Sequence, residues 1–179
     1  MGDSNQILTQ RLLLRPPLPE DFDGWAAFQA DEVQTRFVGG VQLRSAAWRS
    51  FCTMAGAWAL YGYGMFSMIE RESGKWIGRT GPWYPQGWPA PEVGWGVLAS
   101  HSGKGLVTEA AIASMDYAVE VIGWTDVIHV IDPENIASIA VAQRLGSRNR
   151  GTTQLPPPYE AARVDAWGQT ADEWRARSR

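Results

Sequence analysis

The stretch from Glu92 to Asn135 carries the residues whose types and spacing are best suited to chemistry. It begins E-V-G-W-G-V, continues through S-G-K-G-L-V-T-E-A and ends D-P-E-N. A predicted strand, a short glycine-containing turn and the start of a helix follow one another here. Because the first turn of a helix leaves backbone N–H groups without partners, this order predicts a site for an anion.

The predicted anion site is built mainly from the backbone. Its N–H groups belong to Gly103, Lys104, Gly105 and Val107, and Thr108 lies in the first helical turn. The spacing G-x-x-x-x-G-K-[ST] of a nucleotide-triphosphate loop is absent, and no G-x-G-x-x-G opens a strand-helix unit. The alternative is a helix-start turn that binds no ligand.

The strand that leads into this site has two different faces. Alternate residues of a strand point to opposite sides, so one face holds Val93, Trp95 and Val97. The other face holds Gly94 and Gly96, which leave room for a ligand or a neighbouring element.

The hydrophobic pattern of the whole chain predicts the order β-α-α-β-β-β-α-β-α-β-β and a short C-terminal helix. Ser45 and Asn135 are predicted helix N-caps, and the segment Pro82 to Pro91 is predicted to be a loop because it contains four prolines. The first strand is predicted over Thr9 to Arg15. The helix predicted from Gly105 to Ile122 carries an apolar stripe formed by Leu106, Ala110, Ala113, Tyr117 and Val121.

These motifs, in this order and spacing, resemble the GCN5-related N-acetyltransferase (GNAT) family, with D-P-E-N-I-A-S-I-A-V-A-Q-R-L-G as the downstream motif. Within it, the chain resembles the branch that contains the ribosomal-protein N-terminal acetyltransferases (RimJ/RimL-like), over nearly its whole length. The resemblance implies an α+β fold with a central, mixed, mostly antiparallel sheet of six to seven strands, splayed at the acyl-CoA site and covered by helices on both faces. It implies a single acetyl-CoA-dependent N-acetyltransferase domain over residues 1–179.

The resemblance also assigns the cofactor contacts. The pyrophosphate of acetyl-CoA fits the predicted anion site, and Asn135 is implied as a further cofactor contact or a plain N-cap, or both. The pantetheine arm would pair like an extra strand where two parallel strands diverge, between the backbone of Gly96 to Leu98 and the strand at Val127. A backbone N–H of Val97 or Leu98 would meet the oxyanion. Ser100 stands where the family usually has Gln or Arg, which removes at most one contact to the phosphates.

Proton transfer is assigned to two side chains. An attacking amine must be neutral, so a nearby carboxylate would accept its proton, and the resemblance implies Glu92 as this general base. The alternative for Glu92 is a solvated strand-end acid that binds the acceptor's ammonium or caps an edge; Glu70 and Asp132 are weaker candidates. Ala142 replaces the family's usual tyrosine acid, so Ser138 is the candidate donor to the thiolate, unless its hydroxyl only satisfies helix-start amides.

The proline-rich segment supplies candidate substrate contacts. Trp83, Tyr84 and Trp88 are predicted to wall the acceptor cleft, or alternatively to pack within the loop or against a second subunit of a homodimer. His129, inside an apolar strand, is predicted to be a core histidine, and His101 at most adds a donor beside the anion site. Two histidines and scattered acids lack the spacing of a metal site, so no metal is predicted.

Composition bounds the partners. The chain has 179 residues and a net charge of −3, so it lacks the broad basic field that favours nucleic acid. Cys52 is the only cysteine, which excludes an internal disulfide and a cysteine-built metal site. The apolar runs are too short to span a bilayer and no signal-peptide pattern opens the chain, so we predict a cytoplasmic protein without membrane contact.

Two functions follow from these features. The leading prediction is an enzyme that moves the acetyl group of acetyl-CoA to a primary amine, either a protein N-terminus or a small molecule. The alternative is a non-catalytic acyl-CoA-binding or protein-interaction module on the same fold, acting through its tryptophan-rich surface.

Overall fold

The structure, a computed structural model, describes residues 5–177; the start of the chain, where no signal peptide is predicted, lies outside them. The strands are β1 Ile7–Leu8, β2 Leu12–Arg15, β3 Phe66–Glu70, β4 Trp76–Trp83, β5 Glu92–Val97, β6 Asp126–Ile131, β7 Arg148–Thr153 and β8 Val164–Thr170. The helices are α1 Phe22–Ala30, α2 Glu32–Thr35, α3 Arg44–Tyr61, α4 Leu106–Asp116, α5 Ile136–Leu145 and α6 Ala171–Ala176.

Within residues 5–177, eight strands form one sheet in the order β1-β2-β3-β4-β5-β6-β8-β7. Every neighbouring pair is antiparallel except β5 and β6, which run parallel. The predicted mixed, mostly antiparallel α+β fold is therefore confirmed. The strand count is higher than the predicted six to seven because the first predicted strand is interrupted: Thr9 N–H bonds to Leu12 O at 2.9 Å in a turn, which separates β1 from β2.

Helices cover both faces of the sheet, as predicted. On one face, α1 and α3 pack on β3 and β4 through a cluster that includes Trp25, Phe28, Phe51 and Trp76. On the opposite face, α4, α5 and α6 pack on β5 and β6 through Val93, Met115, Val127, Leu145 and Trp174. Burial of these large apolar side chains is the main source of the free energy that holds the layers together.

Two local predictions were wrong at element boundaries. The N-cap of α3 is Leu43 rather than Ser45, and no side chain caps this helix. The loop predicted from Pro82 begins only after Trp83, because Pro82 pairs with Val93 in β4. Proline is tolerated there for two reasons. Pro82 and Val93 form a non-hydrogen-bonded pair, so β5 needs no N–H from this position, and the pairing with β3 on the other side of β4 has already ended at Thr80.

The helix predicted from Gly105 to Ile122 is not a single α-helix. A π-helical turn over Tyr117–Val121 follows α4. The wider turn shifts the angular phase of the residues after it, so Ala118 and Val119 are buried while Val121, predicted on the apolar stripe, is 67% exposed.

Candidate active site

The two parallel strands at the centre of the sheet separate almost at once. β5 and β6 are paired at one register point, Glu92 opposite Ile128, and Ile128 N–H donates to Pro91 O at 2.9 Å. Beyond that point a gap opens between the strands. This confirms the splayed sheet, with the divergence starting at Val93 rather than at Gly96 to Leu98 as predicted.

Backbone N–H groups of β5 face this gap. Leu98 N–H donates to Ile77 O at 2.8 Å, and the neighbouring residue Val97 pairs with Gly78 of β4. In an antiparallel pair this alternation turns the N–H groups of Trp95 and Val97 away from β4 and toward the gap. Leu98 was therefore wrongly predicted as an oxyanion donor, because its N–H is bonded to β4, whereas the Val97 N–H faces the correct side.

His129 closes the base of the gap and acts as a core residue. Its Nδ1 lies 2.7 Å from Val93 O and its Nε2 lies 3.0 Å from Ser147 Oγ, which in turn accepts from Gln169 Nε2 at 2.9 Å. Because a carbonyl only accepts, Nδ1 carries the proton. Burial lowers the pKa of His129 to about 4, so the ring is neutral at physiological pH and holds β5 to β6.

A cleft of about 710 Å³ opens on the α1 face of the sheet beside the amino end of β5. Its wall is rich in aromatic rings and includes Trp83 and Trp88, two of the three residues predicted as substrate contacts. Tyr84 is placed elsewhere: it is absent from the lining, it is 45% exposed, and its ring packs edge-on against Trp124 at 6.4 Å. The other aromatic residues of the lining are Trp25, Phe37, Trp95 and Tyr159.

Glu92 lies in this cleft and is 7% exposed, so it is not the solvated strand-end acid of the alternative interpretation. Its Oε2 accepts from Trp88 Nε1 at 2.6 Å and its Oε1 accepts from Val130 N–H at 3.0 Å. Burial raises the pKa of Glu92 to about 7, although both hydrogen bonds and the charge of Arg79 favour the ionised form. Near neutral pH this carboxyl can therefore both accept and release a proton.

The start of α5 faces the same cleft. Asn135 caps the helix, as predicted, by accepting from Ser138 N–H at 3.1 Å through Oδ1. The Ser138 Oγ accepts from Trp95 Nε1 at 3.3 Å, which leaves its hydroxyl hydrogen free to donate elsewhere. Both residues line the cleft together with Glu92, Trp83 and Trp88.

The predicted anion site lies at the opposite, carboxyl end of β5. Gly105 is the N-cap of α4 with φ +78°, and Gly103 has φ +73°, so both positions need the left-handed conformation that glycine adopts easily. A Cβ on Gly103 would meet no heavy atom within 4 Å among the described residues. The loop is therefore open to solvent, and the residues predicted for it, Gly103 to Thr108, form the first turn of α4 and its entry.

An ion-paired clamp that the sequence did not predict holds this loop. Glu109 accepts from Thr9 Oγ1 at 2.6 Å, from Arg11 N–H at 2.8 Å and from Arg11 Nε at 2.7 Å. Arg11 also donates from Nη1 to Lys104 O at 2.9 Å. Burial opposes ionisation of Glu109, but the bonds from Thr9 and Arg11 outweigh it and lower the pKa of this carboxyl. The E of the T-E-A motif was the only available signal for this contact.

Two possible environments find no support in the part of the chain that the structure describes. Among residues 5–177 there is no group of three or more His, Cys, Asp or Glu side chains arranged to hold a metal ion. No helix in the same range has the length and apolar character needed to cross a membrane.

Comparison with known proteins agrees with this geometry. The model of the family described as "Acetyltransferase (GNAT) domain" matches residues 11–148, so the chain belongs to the GNAT acetyltransferase family. It is accordingly an acyltransferase enzyme, which favours the first of the two functions predicted from the sequence. The family implies acetyl-CoA as cosubstrate and an amine as acceptor, and the open loop at α4 and the unpaired strand edge in the gap fit such a cosubstrate.

Individual relatives share the family at low identity. An acetyltransferase from Agrobacterium tumefaciens str. C58 is 28% identical, with a TM-score of 0.80 over 94% of this chain and 96% of that one. An uncharacterized N-acetyltransferase, p20 of Bacillus licheniformis, is 27% identical over 88% of each chain. The uncharacterized protein YkkB of Bacillus subtilis (strain 168) is 31% identical over 48% of this chain and 51% of that protein. A ribosomal-protein-S5-alanine acetyltransferase from Vibrio fischeri shares the fold alone, with 15% identity and a TM-score of 0.72 over 94% and 98% of the two chains.

Proposed function

We propose that the protein is a single-domain cytoplasmic N-acetyltransferase, over residues 1–179, in which a primary amine attacks the thioester of acetyl-CoA directly. The observation that carries this proposal is Glu92, a buried carboxyl with a pKa of about 7 placed where β5 and β6 begin to separate. Bound acetyl-CoA supplies the activated acetyl group. The C–N bond forms, the C–S bond breaks, one amine proton is taken up by the protein and CoA leaves as its thiol.

Glu92 is the general base in this proposal. The α-amino groups of amino acids and peptides have pKa values of about 8, so a carboxylate with a pKa near 7 is well matched to accept the proton, directly or through one water. Trp88 and Val130 hold the carboxylate by one bond to each oxygen, which leaves lone pairs free on both oxygens.

Backbone groups in the gap and a side chain at the start of α5 would stabilise the negative charge that develops on the carbonyl oxygen and on the departing sulfur. The N–H groups of Trp95 and Val97 both face the gap, and one of them is proposed to stabilise the oxyanion; the N–H of Trp95 is the nearer of the two to Glu92 along β5. The Ser138 hydroxyl is proposed to relay a proton to the departing sulfur. If this role is correct, Ser138→Ala should lower kcat by about tenfold without changing the Kd for acetyl-CoA, because general acid-base groups act on the chemical step. An unchanged kcat would show that Ser138 has no role in proton transfer and serves only through its hydrogen bonds to Trp95 and Asn135.

The loop that precedes α4 is proposed to hold the phosphates of the cosubstrate. Its contacts would come from the backbone of Gly103, Lys104, Gly105 and Val107 and from Thr108, at the positive end of a helix of eleven residues. Asn135 would add a contact near the thioester through the amide nitrogen that its capping bond leaves free.

The acceptor class is tested by measuring CoA release with a panel of amines: N-terminal peptides, polyamines, amino acids and aminoglycosides. The resemblance to the ribosomal-protein branch supports a peptide N-terminus, and the cleft volume also admits a small molecule. The proposal predicts that acetyl-CoA raises the melting temperature and that at least one amine accelerates CoA release. If acetyl-CoA does not raise the melting temperature, the cosubstrate assignment is wrong. If only small amines are acetylated, a peptide N-terminus is not the acceptor.

A further inference from the structure

Arg79 lines the acceptor cleft and forms no ion pair with a carboxylate among residues 5–177. In the antiparallel β4–β5 pair, Arg79 lies opposite Gly96 while Trp83 lies opposite Glu92, so Arg79 enters the same face of the sheet four residues along from the proposed base. At about 3.4 Å per residue this is about 14 Å between the Cα positions along the strand. The charged ends of the two side chains still act on each other, since burial raises the pKa of Glu92 and the charge of Arg79 partly offsets that rise.

The contacts of Arg79 are weak for a guanidinium that is held away from bulk water. Nη1 donates to Met65 Sδ at 3.0 Å, and Cζ lies 5.3 Å from the centre of the Trp25 ring. Nε is buried and has no hydrogen-bond partner in the described chain. Among residues 5–177, no carboxylate forms an ion pair with Arg79. Burial lowers the pKa of the guanidinium, yet arginine stays charged at neutral pH.

Arg15 shows how this fold treats an arginine whose role is structural. Its side chain is 12% exposed, and its Nη1 and Nη2 donate to the two oxygens of Asp21 at 2.7 and 2.8 Å. A buried cation needs such a partner, because the cost of removing it from water is otherwise not offset. Arg79 has no carboxylate within ion-pair distance among residues 5–177, and the charge of Glu92 acts on it only from farther away, so a carboxylate of the substrate would supply the missing partner.

A second polar group at this end of the cleft is also unpaired. Gln29 of α1 is 3% exposed and lines the cleft, and its Oε1 has no hydrogen-bond partner within residues 5–177. Gln29 lies one helical turn from Trp25, whose ring packs against the Arg79 guanidinium, so both polar groups lie on the α1 face of the sheet. The side-chain amide of glutamine can present its oxygen as an acceptor or, after a 180° rotation, its nitrogen as a donor. Buried amide groups in proteins normally have a hydrogen-bond partner.

We propose that Arg79, assisted by Gln29, binds a carboxylate of the acceptor, so that the acceptor is a small amino acid with an apolar side chain rather than a peptide N-terminus. This inference rests on the proposed function. A planar guanidinium binds a carboxylate through two parallel hydrogen bonds, and the acceptor's amine would then lie toward Glu92. The aromatic wall of the cleft, which includes Trp25, Trp83 and Trp88, suits an apolar side chain.

The floor between the two ends is apolar and fixed. A Cβ on Gly94 would lie 2.6 Å from Met65 Cε, and one on Gly96 would lie 3.0 Å from Phe28 Cζ, so neighbouring side chains already fill the room that the two glycines leave. Met65 therefore lies between Arg79 and Glu92. An amino acid bridging them would contact the thioether with its apolar part.

The test compares three acceptors that share one ring and one amine: L-phenylalanine, L-phenylalaninamide and 2-phenylethylamine. We expect kcat/KM for phenylalanine to exceed that for the amide by about thirtyfold, since hydrogen bonds to a charged group discriminate by this order. Equal kcat/KM values, or a preference for a peptide with the same N-terminal residue, would overturn the inference.

Variants assign the preference to Arg79. In Arg79→Gln the advantage of phenylalanine should disappear, mainly through KM. Because the charge of Arg79 favours the ionised form of Glu92, the variant should also lower kcat/KM for 2-phenylethylamine near neutral pH, and that loss should be recovered at pH 9, where Glu92 is ionised in both proteins. Arg49→Gln removes the same charge from an exposed position outside the cleft and should leave the preference intact. Loss of activity by the same factor with all three acceptors would show that Arg79 serves only as a counter-charge to Glu92, and would overturn the inference.

A binding measurement covers the case in which Arg79→Gln turns over poorly. Calorimetry with N-acetyl-L-phenylalanine should show binding to the wild-type protein and at least tenfold weaker binding to Arg79→Gln, with acetyl-CoA affinity retained in both; equal binding would overturn the inference. Gln29→Leu should weaken the same binding by a smaller factor. Failure of every amine to release CoA would contradict the proposed function itself, whereas turnover that ignores the carboxylate would contradict only this inference.

Discussion

The two ends of β5 recognise their ligands in different ways. At the carboxyl end, Gly103 and Gly105 form an open loop whose recognition groups are backbone N–H groups at the start of α4. At the amino end, Glu92 lies in a cleft whose walls and charges are side chains, drawn from α1, β4, α5 and the proline-rich loop. The first site needs only a local chain conformation, while the second needs several distant elements to fold against one another.

Because of this difference, the two sites should respond differently to pH and to substitution of neighbouring residues. A backbone site carries no titrating group, so its affinity should change little with pH and should respond mainly to loop conformation. A site made from a buried carboxyl responds to every change in its hydrogen-bond partners. Variants at the two ends of one six-residue strand should therefore separate binding of acetyl-CoA from catalysis.

The largest expected effect is at Glu92. Glu92→Gln keeps the size of the side chain and removes the base, so kcat should fall by about a hundredfold or more while the Kd for acetyl-CoA stays within about twofold. Steady-state kinetics and calorimetry measure the two quantities. Asp132→Asn alters a second carboxylate of the same cleft, whose Oδ1 already accepts from Glu134 N–H, and should change kcat by less than about threefold. An unaffected kcat in Glu92→Gln would show that the amino end of β5 does not carry the catalytic base.

The same substitution should change how stability depends on pH. Below pH 4.5, the ordinary value for this group, the carboxyl is protonated in both the folded and the unfolded protein. Between 4.5 and about 7 the unfolded protein loses the proton first, so the contribution of Glu92 to stability falls as pH rises through this window, by about 3 kcal/mol in total. The melting temperature of Glu92→Gln relative to wild type should therefore rise between pH 5 and pH 8, and a constant difference would contradict the raised pKa.

A smaller effect is expected from the partner of the base. Trp88→Phe removes the N–H that donates to Glu92 Oε2, and because that bond favours the ionised form, the pKa of Glu92 should rise further. The acidic limb of the kcat/KM profile should move to higher pH, with about tenfold lower activity at pH 7 and recovery toward pH 9. Trp83→Phe shortens another wall of the cleft and should leave the limb in place. Identical limbs in both variants would show that Trp88 only packs.

The smallest effect tests the backbone end. Gly103→Ala places a side chain at φ +73°, which costs about 1 kcal/mol and tilts the neighbouring N–H groups. The KM for acetyl-CoA should rise about fivefold with little change in kcat. Gly123→Ala is the matched control, since Gly123 has φ +82° and equally open surroundings but lies after the π-helical turn. If both variants raise KM equally, general destabilisation and not the loop would be the cause.

The backbone end was largely predictable from the sequence, whereas the cleft was not. The G-K-G pattern predicts its own conformation, since glycine at positive φ and a helix start are properties of adjacent residues. Glu92 was identified through the family motif, but its bond from Trp88 and the unpaired state of Arg79 depend on how β4, α1 and the loop come together. Tyr84 was misplaced for the same reason, since its ring turns toward Trp124 rather than into the cleft.

Two errors have simple physical causes. Leu98 was assigned to the gap because strand alternation fixes the direction of side chains but leaves open which N–H groups face which neighbouring strand; the bond to Ile77 decides this. Val121 was assigned to the core because the 3.6-residue period was extended through a turn that adopts the π-helical geometry. Pattern reasoning holds within a regular element and fails at its irregularities.

The clamp between Arg11 and Glu109 joins the first hairpin of the chain to the loop that precedes α4. Opening of that hairpin breaks the bond to Lys104 O, so local unfolding of β1 and β2 is thermodynamically linked to the conformation of a distant ligand site. A ligand that requires the closed loop would therefore slow hydrogen exchange at β2 amides that it never touches. Occupancy of the loop could then be read from the exchange protection of the chain's first strands.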